Sequence, residues 1–271
     1  MSGQGKNTRG KKNNKLTIII VFVIFILAFA INRIQSINGE EQELKDNEVI
    51  TEQQEPKNNG EGSEQQSPGI KGNSEKFDPG SIPEFGGEYY IAINDNIPFF
   101  DESDLTEDSY EYYSELDDLG RCGLCMACVG KDIMPTEKRG DISSVKPTGW
   151  IQAKYDIVEG GSLWNRSHLL GYQLTGENAN EKNLITGTRY FNAEVMTIFE
   201  NMVADYIKET GNHVLYRVTP VFEGNNLVAK GVLMEAESVE DEGEEVLYNV
   251  FCYNVQPGIG IDYKTGESWL E

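Results

Sequence analysis

The stretch from Asn165 to Asn192, "NRSHLLGYQLTGENANEKNLITGTRYFN", gathers side chains that could do chemistry. The 271-residue chain has two histidines, and one of them, His168, lies here, two residues after Arg166. A neutral imidazole can accept a proton near pH 7, and a guanidinium can pair with phosphate. Carboxamides follow at Asn178, Asn180, Asn183 and Asn192. A carboxamide oxygen binds a hard cation without cancelling its charge, so the ion keeps its pull on an anionic substrate. The plainer reading of His168 is a satisfied structural histidine. Against it stand the neighbouring Arg166, the position at the edge of an apolar element, "HLLGYQL", and the helix that begins at Asn192.

That helix carries Val195, Met196, Phe199, Met202, Val203, Tyr206 and Ile207 at helical spacing, with Gly211 at a C-cap position. On a regular helix Asn192 and Glu200 are separated by about 12 Å of rise and about 80° of rotation. Glu200 leans back toward Asn192. One direct ligand plus one acceptor for an ion's water is then feasible, which suits Mg2+. Around the helix, "EYYIAINDNIPFF" reads as two short strands about a turn at Asn94–Asn96. "RCGLCMACVGKDIM" and "TGWIQAKYD" read as strands, "HVLYRVTPVFEGNNLVAKGVLMEAES" as two strands joined at "EGNN", and "VLYNVFCYNV" as a further strand. Strands, one strong helix and strands again, without βα alternation or repeats, predict an α+β domain with a largely antiparallel sheet.

The joint pattern "NRSH", "KNLITGTRYFN" and "FE" resembles the DNA/RNA non-specific endonucleases of the ββα-metal (His-Me finger) fold. Their motif is Asp-Arg-Gly-His, then an Asn, a metal-binding Asn nine residues later and a Glu eight beyond that. The matching positions here are His168, Asn183, Asn192 and Glu200, and both spacings hold. "YRVTPVFEGNNLVAKGVLMEA" also resembles exported Gram-positive members, DNA-entry nucleases among them, and the similarity covers roughly residues 83 to 271. The resemblance implies a ββα-metal nuclease fold, with a largely antiparallel central sheet and flanking helices. It implies sequence-independent hydrolysis of DNA, and also RNA, with Mg2+ as cofactor and Mn2+ as a substitute. His168 would be the general base, Asn192 the direct metal ligand, and Glu200 the holder of a metal-bound water. Asn183 would orient the surroundings of His168, and Arg166 would contact phosphate. Two residues depart from the motif: Asn165 replaces an acid, and Ser167 adds a Cβ and a hydroxyl where the family has glycine. Lys182, Arg189 and Arg217 are further candidate substrate contacts, with solvated surface charge as their alternative role. His213 receives no catalytic role, and "PGIGIDYKTG" lacks the strand-to-helix context of a phosphate loop.

Bulk features set the compartment. The formal net charge is −22, which opposes non-specific attraction to polyanions, so attraction to a nucleic acid must be local. Residues 235–245, "EAESVEDEGEE", hold seven acids and no base, the signature of a solvated loop or sheet edge. Lys6, Arg9, Lys11, Lys12 and Lys15 precede an uncharged run from Leu16 to Ile31. At about 1.5 Å per residue this run spans roughly 24 Å, and flanking Lys15 and Asn32 can snorkel to extend its reach. The positive flank keeps the N-terminus inside. We therefore expect residues 1–15 to be a cytoplasmic basic segment and 16–31 a transmembrane signal anchor, or a signal peptide cleaved after Ala30. Residues 32–82 read as a disordered linker with a reach of roughly 40 Å. Residues 83–271 read as the endonuclease domain, outside the cell on a single-pass anchor or secreted.

Two other functions compete. One is a surface nucleic-acid-binding module that lost catalysis through Asn165 and Ser167. The other is a thiol oxidoreductase built on Cys122 and Cys125, in "CGLCMAC" with Cys128. No predicted helix opens at that motif, and a metal cluster would need the distant Cys252. A disulfide or small buried strand residues are the remaining readings of these thiols.

Overall fold

The computed structural model describes residues 77–271. The expected anchor at 16–31 and the linker up to residue 76 lie outside them. Among the described residues no helix is long and apolar enough to cross a membrane.

A six-stranded sheet, antiparallel throughout, forms the frame. Its strands are β1 (Tyr90–Ala92), β2 (Tyr110–Tyr113), β3 (Cys125–Val129), β6 (Val214–Val221), β7 (Gly231–Ser238) and β8 (Leu247–Tyr253), in the order β1-β8-β7-β6-β3-β2. Two hairpins stand apart from it: β4 (Trp164–His168) with β5 (Leu184–Thr188), and β9 (Ile259–Asp262) with β10 (Glu267–Leu270). A short helix α1 (Tyr172–Thr175) follows β4, and the long helix α2 (Met196–Thr210) follows β5.

Alternation along the strands decides which face meets the helix. Tyr216 and Val218 of β6, Met234 of β7 and Val250 of β8 pack in one apolar cluster with Phe199, Val203 and Ile207 of α2. On the opposite face Leu233 and Phe251 meet Ile82, while Met126 and Leu215 meet Phe100, Leu105 and Tyr110. Ile82 is therefore part of the core, and the folded region begins ahead of the composition break at Pro83. α2 ends at Gly211, whose φ of 79° is the left-handed C-cap its sequence position suggests.

The α+β architecture with an antiparallel sheet is the expected one, as are β1, β3, β8, the β6–β7 pair and the turn at Asn94–Asn96. Three local readings are corrected. "TGWIQAKYD" contributes only a single bridge, Lys154 to Ser162, because its backbone turns through Tyr155–Gly161. Ile97–Phe100 pairs with no strand among the described residues; Phe99 N–H donates instead to Glu235 Oε1 at 2.8 Å. The acidic stretch 235–245 is not all solvated: Glu235 lies inside the sheet's covered face, and the exposed turn begins only after Ser238.

The β4–β5 register explains how the chain tolerates Ser167. Ser167 pairs with Ile185 and stands diagonal to Gly187, on the face of β4 opposite His168. A Cβ on Gly187 would collide with Ser167 Oγ and come within 2.9 Å of the Phe191 ring. The missing side chain at Gly187 thus makes room for the one present at Ser167. Gly187→Ala should lower stability by about 1–3 kcal/mol, the usual cost of overpacking. In the Ser167→Gly background denaturant unfolding should show most of that loss removed; equal losses in both backgrounds would refute the pairing.

Candidate active site

His168 ends β4 and is nearly buried, 6% exposed. Its Nε2 lies 3.1 Å from the Asn178 carbonyl oxygen, and its Nδ1 lies 3.2 Å from Arg139 Nη2. A carbonyl only accepts and a guanidinium only donates. The proton therefore sits on Nε2, and Nδ1 presents a lone pair. Burial, and then the Arg139 charge, push the His168 pKa down to about 4. The imidazole is neutral at pH 7, with its basic nitrogen facing a cation.

Residues after His168 hold this geometry. Asn183 is fully buried; its Oδ1 accepts from Leu170 N–H at 2.8 Å and its Nδ2 donates to the Leu170 carbonyl at 3.0 Å. Leu169 N–H donates to the Asn183 carbonyl. The exit of β4 is thus stapled to the entry of β5. Thiols reinforce the staple, because Cys122 Sγ lies near the Glu181 and Leu184 carbonyls and Cys125 Sγ near that of Lys182. Asn178 ties down the arginine as well: its Oδ1 accepts from Gly140 N–H at 2.7 Å, and Tyr172 Oη donates to the Glu137 carbonyl. The loop carrying Arg139 is held against the segment that carries His168.

Glu200 faces the same place from α2. A Cβ on Gly171 would stand 2.9 Å from the Glu200 Cδ and Oε2, so the carboxylate lies directly over the Gly171 backbone. Burial raises its pKa to about 7; a hydrogen bond from Gln173 and the charge of Arg139 offset only part of this. The desolvated carboxylate is an under-compensated negative charge, which a cation would relieve. Asn192 lies on the same rod, in a π turn (Phe191–Val195) that runs into α2. Met196 N–H reaches back five residues to the Phe191 carbonyl. The wider turn absorbs one residue, so Asn192 and Glu200 are phased like positions two turns apart, offset by about −20° rather than the about 80° of a regular helix. Thr188 Oγ1 and Gln256 Oε1 accept from Phe191 N–H and Tyr190 N–H and so satisfy the first turn. Asn192 and Glu200 would supply one neutral and one anionic oxygen, a hard donor set that fits a divalent cation keeping most of its waters. Among the described residues no three His, Cys, Asp or Glu side chains cluster to hold an ion.

The basic candidates separate. Arg166 shares its face of β4 with His168, but Nε and Nη2 donate to the Val145 and Ser143 carbonyls and the guanidinium lies 4.3 Å over Trp150. It shapes the loop beside the site, and those two donors are already engaged. Lys182 pairs with Glu115 and Arg189 with Glu159 at the surface. Arg217 is corrected: it is 3% exposed, bound through Nε and Nη2 to Glu235 and 4.7 Å from the Phe100 ring. A side chain locked under that cover cannot touch a substrate. The four thiols are buried and unpaired, and burial raises those of Cys122 and Cys128 to about 12. Such thiols are poor nucleophiles, which removes the support for a redox reading.

Sequence reasoning missed Arg139, the Asn178 carbonyl, Gly171 and the π turn. Arg139 sits in a loop with no periodicity, 29 residues before His168, and nothing in its neighbours marks it.

The relatives of this chain are nucleases. Residues 102–240 match the DNA/RNA non-specific endonuclease family, and the chain belongs to that family. It is similar in structure to NucA from Streptococcus agalactiae with magnesium bound: 26% identity over 66% of this chain and 86% of that one, TM-score 0.59. The metal-free form of NucA gives 25% identity over the same shares, TM-score 0.58. The Sda1 nuclease with bound zinc gives 27% identity over 68% of this chain and 96% of that one, TM-score 0.57.

Gly171→Ala tests the seat of Glu200. The carboxylate is the free end of a side chain and can swing away, so the melting temperature should stay near wild type. Half-saturation of cleavage by a divalent cation should rise about 10–100-fold, the scale of losing a ligand's support. An unchanged cation titration would show that Gly171 does not seat the carboxylate.

Proposed function

We propose that this chain is a divalent-cation-dependent endonuclease that hydrolyses phosphodiester bonds of DNA, and of RNA, without sequence specificity. It acts outside the cytoplasm, tethered by residues 16–31 or secreted after cleavage at Ala30. One observation carries the catalytic reading: His168 is held neutral, with the Nδ1 lone pair facing Arg139 and the Nε2 proton fixed on the Asn178 carbonyl.

Once the substrate phosphate draws Arg139 Nη2 off Nδ1, the freed Nδ1 lone pair takes a proton from the attacking water, and the Asn178 carbonyl steadies the resulting imidazolium through Nε2–H. Burial is the larger cause of the low His168 pKa and the Arg139 charge the second, so a phosphodiester that neutralises Arg139 raises the basicity of His168 in part. Asn183 holds the imidazole's supporting loop. Asn192 and Glu200 would hold a divalent cation, Mg2+ with Mn2+ as a substitute, which when bound neutralises charge developing on the phosphoryl and leaving oxygens. The departures at Asn165 and Ser167 point to the opposite face of β4, which favours retained catalysis over a binding module.

His168→Ala should lose at least about 10²-fold in rate, the scale of general-base catalysis. Its melting temperature and its binding of DNA should persist. A stable His168→Ala protein cutting at the wild-type rate would falsify this mechanism. Asn192→Ala should abolish cation-dependent cleavage with an unchanged circular dichroism spectrum; full activity would remove it from the site.

The two shifted groups act oppositely on stability. For His168, the unfolded chain gains a proton as pH falls from about 6.5 that the folded one refuses until about 4, so stability is lost as pH falls. For Glu200, the unfolded chain ionises from about 4.5 while the folded one keeps its proton to about 7, so stability is lost as pH rises. Mg2+ should therefore raise the melting temperature more at pH 8 than at pH 5.5. Glu200→Gln should raise it at pH 8 without metal and weaken the Mg2+ response. A Mg2+ shift of equal size at both pH values, or one undiminished in Glu200→Gln, would take Glu200 out of the ion's site.

A further inference from the structure

Where the β9–β10 hairpin meets the segment ahead of β1, the protein encloses a half-open cavity of about 300 Å3. Phe85, Tyr89, Tyr263 and Trp269 wall it. Trp269 pairs with Gly260 across the hairpin, and its indole lies so close that a Cβ on Gly260 would collide with the ring. One side of the indole is fixed against backbone, yet the side chain is 53% exposed. Phe85, 40% exposed, stands 5.6 Å from Tyr89, and Tyr89 stands 4.6 Å from Tyr190.

Gln256 supplies the polar group. It is 8% exposed and lines the cavity, and its Oε1 accepts from Tyr190 N–H at 3.0 Å. Its Nε2 donates to no described residue and is not among the buried atoms left unpaired, so it opens to solvent, and a ligand acceptor could take those donors in place of water. The lining has no Lys or Arg and includes Glu271, so it is unsuited to a phosphate. A flat, neutral ligand bearing carbonyl or ring-nitrogen acceptors fits, and the volume is at the small end for ligand sites. A nucleobase meets each condition.

The cavity also adjoins the catalytic elements. Gln256 and Tyr89 both grip Tyr190, two residues before Asn192. Its aromatic walls and Gln256 come from outside residues 102–240, the part matched to the family.

We propose that this cavity binds one unpaired nucleobase of the substrate strand flanking the scissile phosphodiester, stacked on Trp269 and Phe85 and hydrogen-bonded to Gln256 Nε2. The proposal rests on the nuclease reading above. A base within a duplex is already stacked and paired, so the pocket favours single-stranded substrate.

The test compares wild type with Trp269→Ala, Phe85→Ala and Gln256→Glu, which keeps an acceptor for Tyr190 N–H and removes the donors. Each is assayed with Mg2+ on single-stranded oligodeoxythymidylate and on duplex DNA. Expected is a fall of about 5- to 100-fold in kcat/KM on the single strand for Trp269→Ala, the scale of one lost base stack. Duplex cleavage and melting temperature should be unchanged for Trp269→Ala and Phe85→Ala. Parallel losses on both substrates, or no loss on the single strand in any variant, overturn the pocket while leaving the nuclease reading intact. A wild-type protein that cuts neither substrate overturns both.

Discussion

A backbone carbonyl can only accept and a guanidinium can only donate, and His168 stands between one of each. That double constraint fixes its tautomer, its orientation and its charge. Asn178 provides the carbonyl and, through its side chain, ties down the loop that brings Arg139. The β4–β5 hairpin, the Asn183 staple and the thiols beneath it serve to hold one imidazole in one state. A free imidazole would instead titrate near 6.5 and populate both tautomers.

Across the site the second constraint is a charge without enough company. Glu200 is buried over a glycine whose missing Cβ gives it space, and its neighbours stabilise its ionised form only in part. Such an arrangement is costly in the isolated protein and becomes favourable beside a cation. Arg139 links the two halves: it faces His168 directly and its charge is felt at Glu200. The acidity of the whole chain is compatible with a nucleic-acid substrate because Arg139 and a bound cation would act at short range, where net charge matters little.

Much of this was legible in the sequence. Residue types at His168, Asn183, Asn192 and Glu200, with their spacings, marked the candidate site; the helical period marked α2 and Gly211 its end. What failed did so for identifiable reasons. Helical geometry assumes a uniform turn, and the π turn at Phe191–Val195 rephased Asn192 against Glu200. Arg139 comes from an irregular loop, where no pattern records spatial proximity. Arg217 looked like any basic residue in a strand, and only the sheet register, which sets Glu235 opposite it, reveals a buried ion pair. Ser167 looked like damage to a motif until Gly187 was seen to make room for it.

The central claim is the state of His168, and nitrogen-15 NMR of the labelled imidazole reads it directly. The account predicts that at pH 7 Nε2 carries the proton and Nδ1 carries none. It predicts that this signature persists as pH falls, giving way only near pH 4. It also predicts that Arg139→Ala moves the transition upward while keeping the tautomer, since the Asn178 carbonyl remains. A proton on Nδ1 at pH 7, or a titration midpoint near 6.5 in the wild-type protein, would contradict it.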